Sequence, residues 1–239
     1  IIDTDPGQDD AVAILVALAS PELEVLGITC VAGNVELALT STNARKICEL
    51  AGMPKTRIFL GADRPLSRPL VTATHVHGRT GLDGTDLASP VMPISQTHAV
   101  DFIIETFLSA KSKEIVMCAL GPLTNIAMAI TREPRIVPKI KKIVLMGGGF
   151  FEGGNITPAA EFNIYVDPEA ASTLLNSGIE VVMIPLDVTH KVLATSKFID
   201  SVSLLGSKTG TSVAGLLSFF GRYDSSKYGS DGAPLHDPN

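Results

Sequence analysis

Short apolar runs alternate with stretches of helical length along most of the chain. The apolar runs are rich in β-branched residues at consecutive positions, as in strands that are covered on both faces. The predicted strands are 1–2, 25–31, 57–60, 114–120, 142–146 and 180–184, and the predicted helices are 9–20, 37–50, 98–109, 123–131 and 168–177. This alternation predicts an α/β fold with an open, mostly parallel sheet that is flanked by helices. Ligands of such sheets bind beyond the carboxyl ends of the strands.

Residues 62–97 interrupt this pattern, because they contain proline, glycine and histidine without a clear period. We expect a long loop over one end of the sheet. No internal repeat or low-complexity linker divides the chain, so residues 1–239 are predicted to form a single domain. The sequence stops within the segment 236–239, in the middle of a motif, and we expect a C-terminal segment to be lacking.

Composition excludes several classes of protein. Hydrophobic residues make up 45% of the chain and charged residues 18%, which is enough for a large core and too apolar for a disordered chain. The formal net charge is −6 and no basic run is long enough to follow a phosphate backbone, so a nucleic-acid partner is not expected. No stretch approaches the about 20 apolar residues of a membrane span, so a membrane partner is not expected either. Cys30, Cys48 and Cys118 have no metal-binding spacing and predict free thiols in a reducing, cytoplasmic compartment.

Four carboxylates lie within the eight residues from Asp3 to Asp10, between a predicted buried strand and a helix. Helix capping accounts for one or two aspartates at such a position. It does not account for Asp3 and Asp5, which follow directly from an apolar strand, and unneutralised carboxylates at this spacing repel one another. A bound hard cation with oxygen ligands explains the whole group.

Other phosphate or metal motifs fit this turn less well. An EF-hand shares the spacing of Asp3 and Asp5, but Pro6 and the absence of a glutamate at the twelfth position (Ile14) disfavour it. A haloacid-dehalogenase-like phosphatase requires a threonine where Gly7 stands. The glycines at 147–149 do not complete a dinucleotide-binding fingerprint.

The string DTDPGxDD at residues 3–10 resembles the signature of the inosine-uridine preferring nucleoside hydrolase family. Further motifs of the family follow in the family's order and together span nearly the whole chain. They are VAGN (31–34), HVHG (75–78), ALGPLTNIA (119–127), VLMGGG (144–149), GN-ITP-AEFNI-DPEAA (154–171), LDVTH (186–190) and HDP (236–238). A single motif could arise by chance, whereas the ordered set is specific.

The resemblance implies a Rossmann-like nucleoside hydrolase fold and calcium-dependent hydrolysis of the N-glycosidic bond of ribonucleosides to ribose and free base. Such an enzyme serves nucleoside salvage in purine and pyrimidine metabolism, and members of the family form homotetramers or homodimers. Two other hypotheses stay open, a non-catalytic calcium-dependent protein that binds nucleosides or ribose and a metal-dependent phosphatase. A binding protein could dispense with Asp5 and His236, and both are present.

Carried over position by position, the resemblance implies that Ca²⁺ is bound by Asp5, Asp10, Asp237 and the backbone carbonyl of Thr124. Asp5 would also be the general base that takes a proton from a calcium-bound water, on the way to an oxocarbenium-like transition state. His236 would be the general acid on the leaving base. Without the resemblance, Thr124 would be an ordinary helix N-cap.

Residues that would bind the substrate follow from the same resemblance. Asp9 and Asn163 would bind the 2′- and 3′-hydroxyls, Asn155 and Glu161 the 5′-hydroxyl, and Asn34 would lie near the attacking water. Met146 would pack beneath the ribose and His77 would close over the ribose or base. The alternation of Glu161 and Asn163 predicts that both lie on one face of an extended segment. The other histidines, His75, His98 and His190, are assigned to packing or to the surface.

The less regular region before the HDP motif, residues 218–233, is where the family's base preference would be set. Tyr223 and Tyr228 are the candidate base contacts. The chain contains no tryptophan, which disfavours the purine-specific subgroup that stacks bases between indoles. We therefore predict a broad or pyrimidine-leaning preference.

Overall fold

The computed structural model describes residues 1–239, apart from the side chain of Tyr228. Its centre is a six-stranded parallel sheet with the strand order β3-β2-β1-β4-β5-β6. These strands are β1 (Ile2–Thr4), β2 (Ile28–Cys30), β3 (Ile58–Leu60), β4 (Val116–Ala119), β5 (Lys142–Met146) and β6 (Val181–Ile184). The predicted fold class, an open parallel sheet flanked by helices, is confirmed.

Strand β1 lies at the point where the strand order reverses. Its residue Ile2 pairs with Ile28 of β2 on one side and with Cys118 of β4 on the other. The chain adds strands first toward β3 and then, from β4 onward, in the opposite direction. Loops after β1 and β4 therefore diverge at this reversal and leave a crevice between them, which is the usual ligand position in an open parallel sheet.

Helices cover both faces of the sheet. The helices are α1 (Gln8–Ala19), α2 (Leu37–Leu50), α3 (Thr74–His77), α4 (Ala99–Ser109), α5 (Thr124–Arg132), α6 (Phe162–Val166), α7 (Pro168–Leu175), α8 (Leu186–Thr189), α9 (Ser196–Ser203) and α10 (Lys208–Tyr228), with a 3₁₀ helix at Pro134–Lys139. One buried cluster joins α4, α5 and α7 to the sheet, and a second joins α1, α2 and α10 to the opposite face. Successive strand residues point to opposite faces, so Ile1 belongs to the first cluster and Ile2 to the second.

A small antiparallel pair lies outside the main sheet. Strands β7 (Leu193–Thr195) and β8 (Gly232–Pro234) pair, and helix α10 packs against β8 and against α1. This packing brings residues 236–239 back to the first turn of α1. The antiparallel pair thus carries the HDP motif to the acidic turn at the other end of the sequence.

The structure agrees with most of the predicted elements and differs in a few. The predicted strand at 25–31 is restricted to Ile28–Cys30, and the loop at 62–97 contains the short helix α3. No element was predicted for the less regular region at 218–233, which the structure shows to contain the end of the 21-residue helix α10 and the start of β8. None of the helices within the described part of the chain combines the length and apolar character that a membrane span requires.

Candidate active site

The carboxylates of the acidic turn gather beneath a cleft at the carboxyl end of the sheet. Strand β1 ends at Thr4, so Asp5 leaves the sheet edge, and Asp9 and Asp10 lie in the first turn of α1. Asp237 arrives from the far end of the chain through β8. One carboxylate oxygen from each of Asp9, Asp10 and Asp237 lies within 4.8 Å of the others, and all three residues are buried.

Asp10 is the most firmly held member of this acidic group. Its Oδ1 accepts a hydrogen bond from the Thr4 hydroxyl, and its Oδ2 accepts the backbone N–H of Gly7 at 2.8 Å and the side-chain amide of Asn34 at 3.2 Å. A carboxylate oxygen of Asp237 lies within 4.8 Å of one of Asp10. Because like charges this close repel each other, a cation between them would stabilise the pair.

Three buried carboxylate oxygens meet no hydrogen-bond donor among the described residues, namely Oδ1 of Asp5, Oδ1 of Asp9 and Oδ2 of Asp3. Burial, followed by the charge of Asp10, raises the pKa of Asp5 and of Asp9 well above the usual range. The same causes raise the pKa of Asp237. Unpaired, buried and crowded carboxylate oxygens fit a hard cation with oxygen ligands, which would satisfy them and neutralise their charge.

Asp3 lies next to this group but has partners of its own. Its Oδ1 accepts the Thr29 hydroxyl at 2.5 Å and the side-chain amide of Asn125 at 2.8 Å. Burial raises the pKa of Asp3 to about 7, against the opposing effect of these two hydrogen bonds. Since Asn125 also bonds to Cys30 O and Ala62 N, Asp3 helps to tie together the loops that follow β2 and β3.

Side-chain amides line one wall of the cleft, and their hydrogen bonds determine whether each presents its oxygen or its NH₂ group to the cleft. Asn34 donates to the backbone carbonyl of Asp5 and to the Asp10 carboxylate, and Asn163 donates to the carbonyls of Leu120 (2.8 Å) and Met146 (3.1 Å). Both side chains therefore retain Oδ1 as an acceptor for the cleft. Asn155 has the opposite arrangement.

In Asn155 the Oδ1 accepts the backbone N–H of Phe162 at 2.9 Å, which leaves its amide N–H groups as donors. Glu161 accepts three backbone N–H groups, from Gly148 (2.9 Å), Asn163 (3.0 Å) and Ile164 (3.2 Å). The Glu161 carboxylate is therefore fixed at the start of α6. Acceptors and donors for hydroxyl groups thus occupy set positions along this wall.

The opposite side of the cleft carries aromatic and imidazole rings. His236 Nδ1 lies 2.8 Å from Thr189 Oγ1, and the His236 ring meets His190 and Phe220 edge to face at 5.8 and 6.2 Å between ring centroids. Burial, followed by the charge of His190, lowers the pKa of His236 to about 3. His77 stacks on Phe220 at 5.4 Å. His236 is therefore neutral at physiological pH.

Together these walls enclose one cleft at the carboxyl end of the sheet. Its lining residues are Asp9, Asn34, Ala73, His75, Val76, His77, Leu120, Met146, Asn155, Ile156, Glu161, Phe162, Asn163, His190, Phe220, Tyr223, Asp224, His236 and Asp237. Acceptors for hydroxyls and a carboxylate floor thus share one cleft with aromatic rings.

Comparison with known proteins identifies the family. The profile of the inosine-uridine preferring nucleoside hydrolases matches residues 1–239. The chain belongs to this family. As a nucleoside hydrolase, it is an enzyme that hydrolyses ribonucleosides, and the family's hydrolases are metal-dependent.

Relatives of different base preference resemble the chain over its whole length. The pyrimidine-specific ribonucleoside hydrolase RihA of Salmonella agona is 46% identical over 239 residues, which are 100% of this chain and 76% of the relative. The inosine-uridine preferring nucleoside hydrolase of Crithidia fasciculata is 43% identical over 242 residues, again 100% of this chain and 76% of the relative. The solved structure of a purine-preferring ribonucleoside hydrolase from Gardnerella vaginalis has a TM-score of 0.95 at 36% identity, and covers 99% of this chain and 76% of that one.

The nucleoside hydrolase cleft brings together most of the residues predicted to form the site. Those in its lining are Asp9, Asn34, His77, Met146, Asn155, Glu161, Asn163, Tyr223, His236 and Asp237. Asp5 and Asp10 lie beneath this lining and are joined to it through Asn34. Thr124 is buried, and its hydroxyl donates to Asp167 at 2.7 Å. The side chain of Tyr228 lies outside the described residues.

Two local predictions about these residues are wrong. Glu161 and Asn163 do not share an extended segment, because Glu161 caps α6 and Asn163 lies inside that helix. Thr124 is not an N-cap, since α5 is preceded by Leu123 and the Thr124 side chain bonds to Asp167 instead. His98, which was assigned to packing, does cap α4 by accepting the N–H of Val100 at 3.2 Å.

Two histidines and two residues of α10 are among the cleft residues that the sequence analysis missed. His75 and His190 were assigned to packing or to the surface, whereas both line the cleft. Phe220 and Asp224 were not singled out, although they lie on the same helix as Tyr223. Helical spacing would have found them, since residues three and four positions apart share a face. The irregular appearance of this segment concealed that spacing.

Proposed function

We propose that this nucleoside hydrolase uses Ca²⁺ to split the N-glycosidic bond of ribonucleosides into ribose and free base. The observation that carries the proposal is the group formed by Asp9, Asp10 and Asp237, whose ligand oxygens lie within 4.8 Å of one another at the floor of the cleft. Unpaired oxygens on Asp5 and Asp9 add to this group. An all-oxygen set with several anionic members suits Ca²⁺, which accepts irregular coordination.

Asp5, Asp10 and Asp237, with the carbonyl of Thr124, would hold the ion. Asp9 belongs to the same geometric group and lines the cleft, as Asp237 does. Following the family resemblance, we assign Asp9 to the ribose diol. When bound, Ca²⁺ supplies positive charge that offsets the carboxylates and coordination positions that orient water and the sugar hydroxyls.

Asp5 acts as the general base. One of its oxygens accepts the backbone N–H of Asn34, and the other is buried and meets no donor in the part of the chain that the structure describes. The free Oδ1 takes a proton from the attacking water as the oxygen of that water bonds to C1′ and the bond from C1′ to the base nitrogen breaks. Asn34 offers its Oδ1 beside this position and orients the water.

The amide wall binds the sugar. Asn163 presents an acceptor, held by its two bonds to the carbonyls of Leu120 and Met146, and with Asp9 it binds the 2′- and 3′-hydroxyls. Asn155 presents donors and Glu161 presents a fixed carboxylate, and both bind the 5′-hydroxyl. Met146 packs beneath the ribose. Groups fixed in this way lose little freedom on binding, so they favour the reactive geometry.

His236 assists the leaving base as a neutral imidazole. Its pKa is lowered to about 3, so it is not an imidazolium at the pH of the reaction. When the Thr189 hydroxyl donates to Nδ1 of His236, the ring carries its proton on Nε2. This N–H donates a hydrogen bond to the base nitrogen that leaves C1′. This bond stabilises the negative charge that develops on the base as the glycosidic bond breaks.

The base itself meets the rings of Tyr223, His190 and Phe220 and the carboxylate of Asp224. The relatives that resemble this chain include a pyrimidine-specific, an inosine-uridine preferring and a purine-preferring hydrolase. We infer a broad or pyrimidine-leaning preference, because the described wall offers stacking and polar contacts without an indole.

The direct test is the release of reducing sugar from uridine, cytidine and inosine by the purified protein. We expect release in Ca²⁺, loss on removal of the ion with a chelator, and recovery when Ca²⁺ is restored. Calorimetric titration of the metal-free protein with Ca²⁺, Mg²⁺ and Zn²⁺ identifies the preferred ion without reference to activity. Full activity in chelator would overturn the metal proposal, and absence of release in every ion would overturn the proposed substrate class.

A further inference from the structure

Gln8 forms a closed set of hydrogen bonds beneath His77. It is the first residue of α1, stands between Gly7 and Asp9, and is fully buried. Its Nε2 donates to the backbone carbonyls of His77 at 2.9 Å and Asp83 at 3.1 Å. Its Oε1 lies 2.7 Å from Nδ1 of the His77 ring.

These contacts fix the orientation of the Gln8 amide. A backbone carbonyl can only accept, so the amide group that faces His77 O and Asp83 O must be the NH₂. The reversed orientation would place Oε1 against two carbonyl oxygens and leave three buried acceptors without donors, which is unfavourable. Oε1 therefore faces the ring of His77, and it is an acceptor there.

An acceptor at Nδ1 determines which nitrogen of His77 carries the proton. The ring is buried, and burial, followed by the charges of His236 and His75, lowers its pKa to about 3. A neutral imidazole has one N–H, and the Gln8 contact requires it to be on Nδ1. Nε2 is then a bare acceptor on a ring that lines the cleft and is held by stacking on Phe220.

We propose that Gln8 is a positioning residue that holds His77 in the Nδ1–H tautomer, so that Nε2 accepts a hydrogen bond from a donor on the nucleoside. The donor is a ring N–H of the base, such as N3–H of uracil or N1–H of hypoxanthine, because the single hydrogen of the 5′-hydroxyl is directed at the Glu161 carboxylate. His77 then rejects a substrate group that is itself an acceptor at that position, because two acceptors would face each other.

The tautomer is tested without substrate, so this result does not depend on the proposed function. Protein labelled with ¹⁵N-histidine gives long-range ¹H–¹⁵N spectra in which protonated and bare ring nitrogens have different shifts. The His77 signals are assigned by their loss in H77Q. We expect Nδ1 protonated and Nε2 bare in the wild-type protein, unchanged from about pH 5 to pH 8. A protonated Nε2 would overturn the proposal.

Two variants distinguish a role of Gln8 in setting the tautomer of His77 from a role in attaching the loop alone. Q8M removes the amide at similar volume, and we expect the Nε2–H tautomer of His77 to appear. N43L is the matched control, because the buried Asn43 amide also ties this loop down by donating to Pro6 O at 3.0 Å and Thr80 O at 2.8 Å. N43L should lower the melting temperature and leave the tautomer unchanged. A tautomer shift in N43L, or none in folded Q8M, would contradict the assignment.

Kinetic measurements test the donor on the substrate. Only these measurements rest on the proposed hydrolysis. We expect Q8M to lower kcat/KM for uridine roughly 3- to 10-fold, mostly through KM, as loss of one hydrogen bond predicts. The effect should vanish for 3-methyluridine, whose N3 carries no hydrogen, and should persist for 5′-deoxyuridine. An equal loss with all three substrates would overturn the recognition role. If the wild-type protein cleaved no nucleoside, the proposed function would fail and the tautomer result would stand.

Discussion

Oδ2 of Asp5 accepts the backbone N–H of Asn34 at 2.7 Å, whereas Oδ1 of the same carboxylate is buried and meets no donor among the described residues. The carboxylate is thus held by one oxygen and free at the other. Glycines make this arrangement possible, since a side chain at Gly33 or at Gly121 would collide with the Asp5 carboxylate. A base held in this way can take a proton without first giving up a partner.

Asp5→Asn should therefore remove turnover while retaining part of the sugar binding. The amide keeps the shape of the carboxylate but cannot take a proton, so we expect kcat for uridine to fall by about 10²- to 10⁴-fold. Single-turnover release of ribose measures the rate, and titration with ribose measures binding. Asp63→Asn, at an exposed aspartate outside the cleft, is the control and should behave as the wild-type protein. An unchanged rate in D5N would refute the assigned base.

Binding of the cation should depend on pH in a defined direction. Burial and mutual proximity raise the pKa of Asp5, Asp9 and Asp237, so the metal-free fold retains protons that an unfolded chain releases above about pH 4. The stability contribution of these carboxyls is therefore lost as the pH rises through their folded-state pKa values. A cation must displace the retained protons, so its affinity increases with pH.

We expect Ca²⁺ to raise the melting temperature more at about pH 8 than at about pH 5.5. Thermal unfolding with and without the ion, at fixed ionic strength, measures the gain. Asp237→Asn should abolish most of the gain, and Asp63→Asn should leave it unchanged. A gain that is equal at both pH values, or larger at the lower one, would show that these carboxyls do not bind the ion.

The proposed role of His236 predicts that its contribution to the reaction rate does not change with pH. With a pKa lowered to about 3, His236 is neutral over the working range, so its effect on the rate does not titrate near 6.5. We expect the ratio of wild-type to H236A rates to stay constant from about pH 5 to pH 9. Thr189→Val, which removes the partner of Nδ1, should lower the rate roughly tenfold. Thr173→Val, at a half-buried threonine of α7 outside the cleft, should have no effect.

A rate ratio that falls about tenfold for each pH unit above 6.5 would instead identify His236 as an imidazolium acid. This outcome matters for the sequence interpretation, which assigned His236 to acid catalysis because histidine ordinarily titrates near neutrality. The residue type alone predicts that range. The lowered pKa comes from burial and from His190, whose position next to His236 depends on the pairing of β7 with β8.

The strands and helices of the central sheet were predictable because their patterns are local. Strand β5 and helix α2 have the predicted bounds, and the acidic turn lies where the apolar strand gives way to a helix. The order of the strands then determines which loops meet at the cleft, because the residues after β1, β2, β4 and β5 lie at one edge of the sheet. Asp5, Asn34 and Met146 are brought together in this way.

Helix α10 shows why the wall of the cleft that contains Phe220 and Asp224 was not predictable from the sequence. It contains Gly210, Gly215 and Gly221, and glycine weakens helix propensity by about 1 kcal/mol for each residue. Tertiary packing overrides this preference, because Gly215 lies against the backbone of Gly84 and Gly221 lies beside Ala233. Neither contact could be read from local periodicity. The positions of Phe220 and Asp224 in the cleft follow from this helix and were missed with it.

The two glycines predict opposite effects of the same substitution. A methyl group at Gly215 would collide with the carbonyl of Gly84, so Gly215→Ala should force α10 away from this loop and lower the free energy of unfolding by about 1–3 kcal/mol. At Gly221 the nearest atom to an added methyl is the Ala233 Cβ at 3.4 Å, an ordinary contact. Gly221→Ala should therefore raise the free energy of unfolding by up to about 0.5–1 kcal/mol through helix propensity. Urea unfolding of both variants measures the difference.

Because Gly215 lies one turn from Phe220, G215A should also weaken nucleoside binding. An unchanged stability in G215A would show that the contact between α10 and Gly84 is not close in solution.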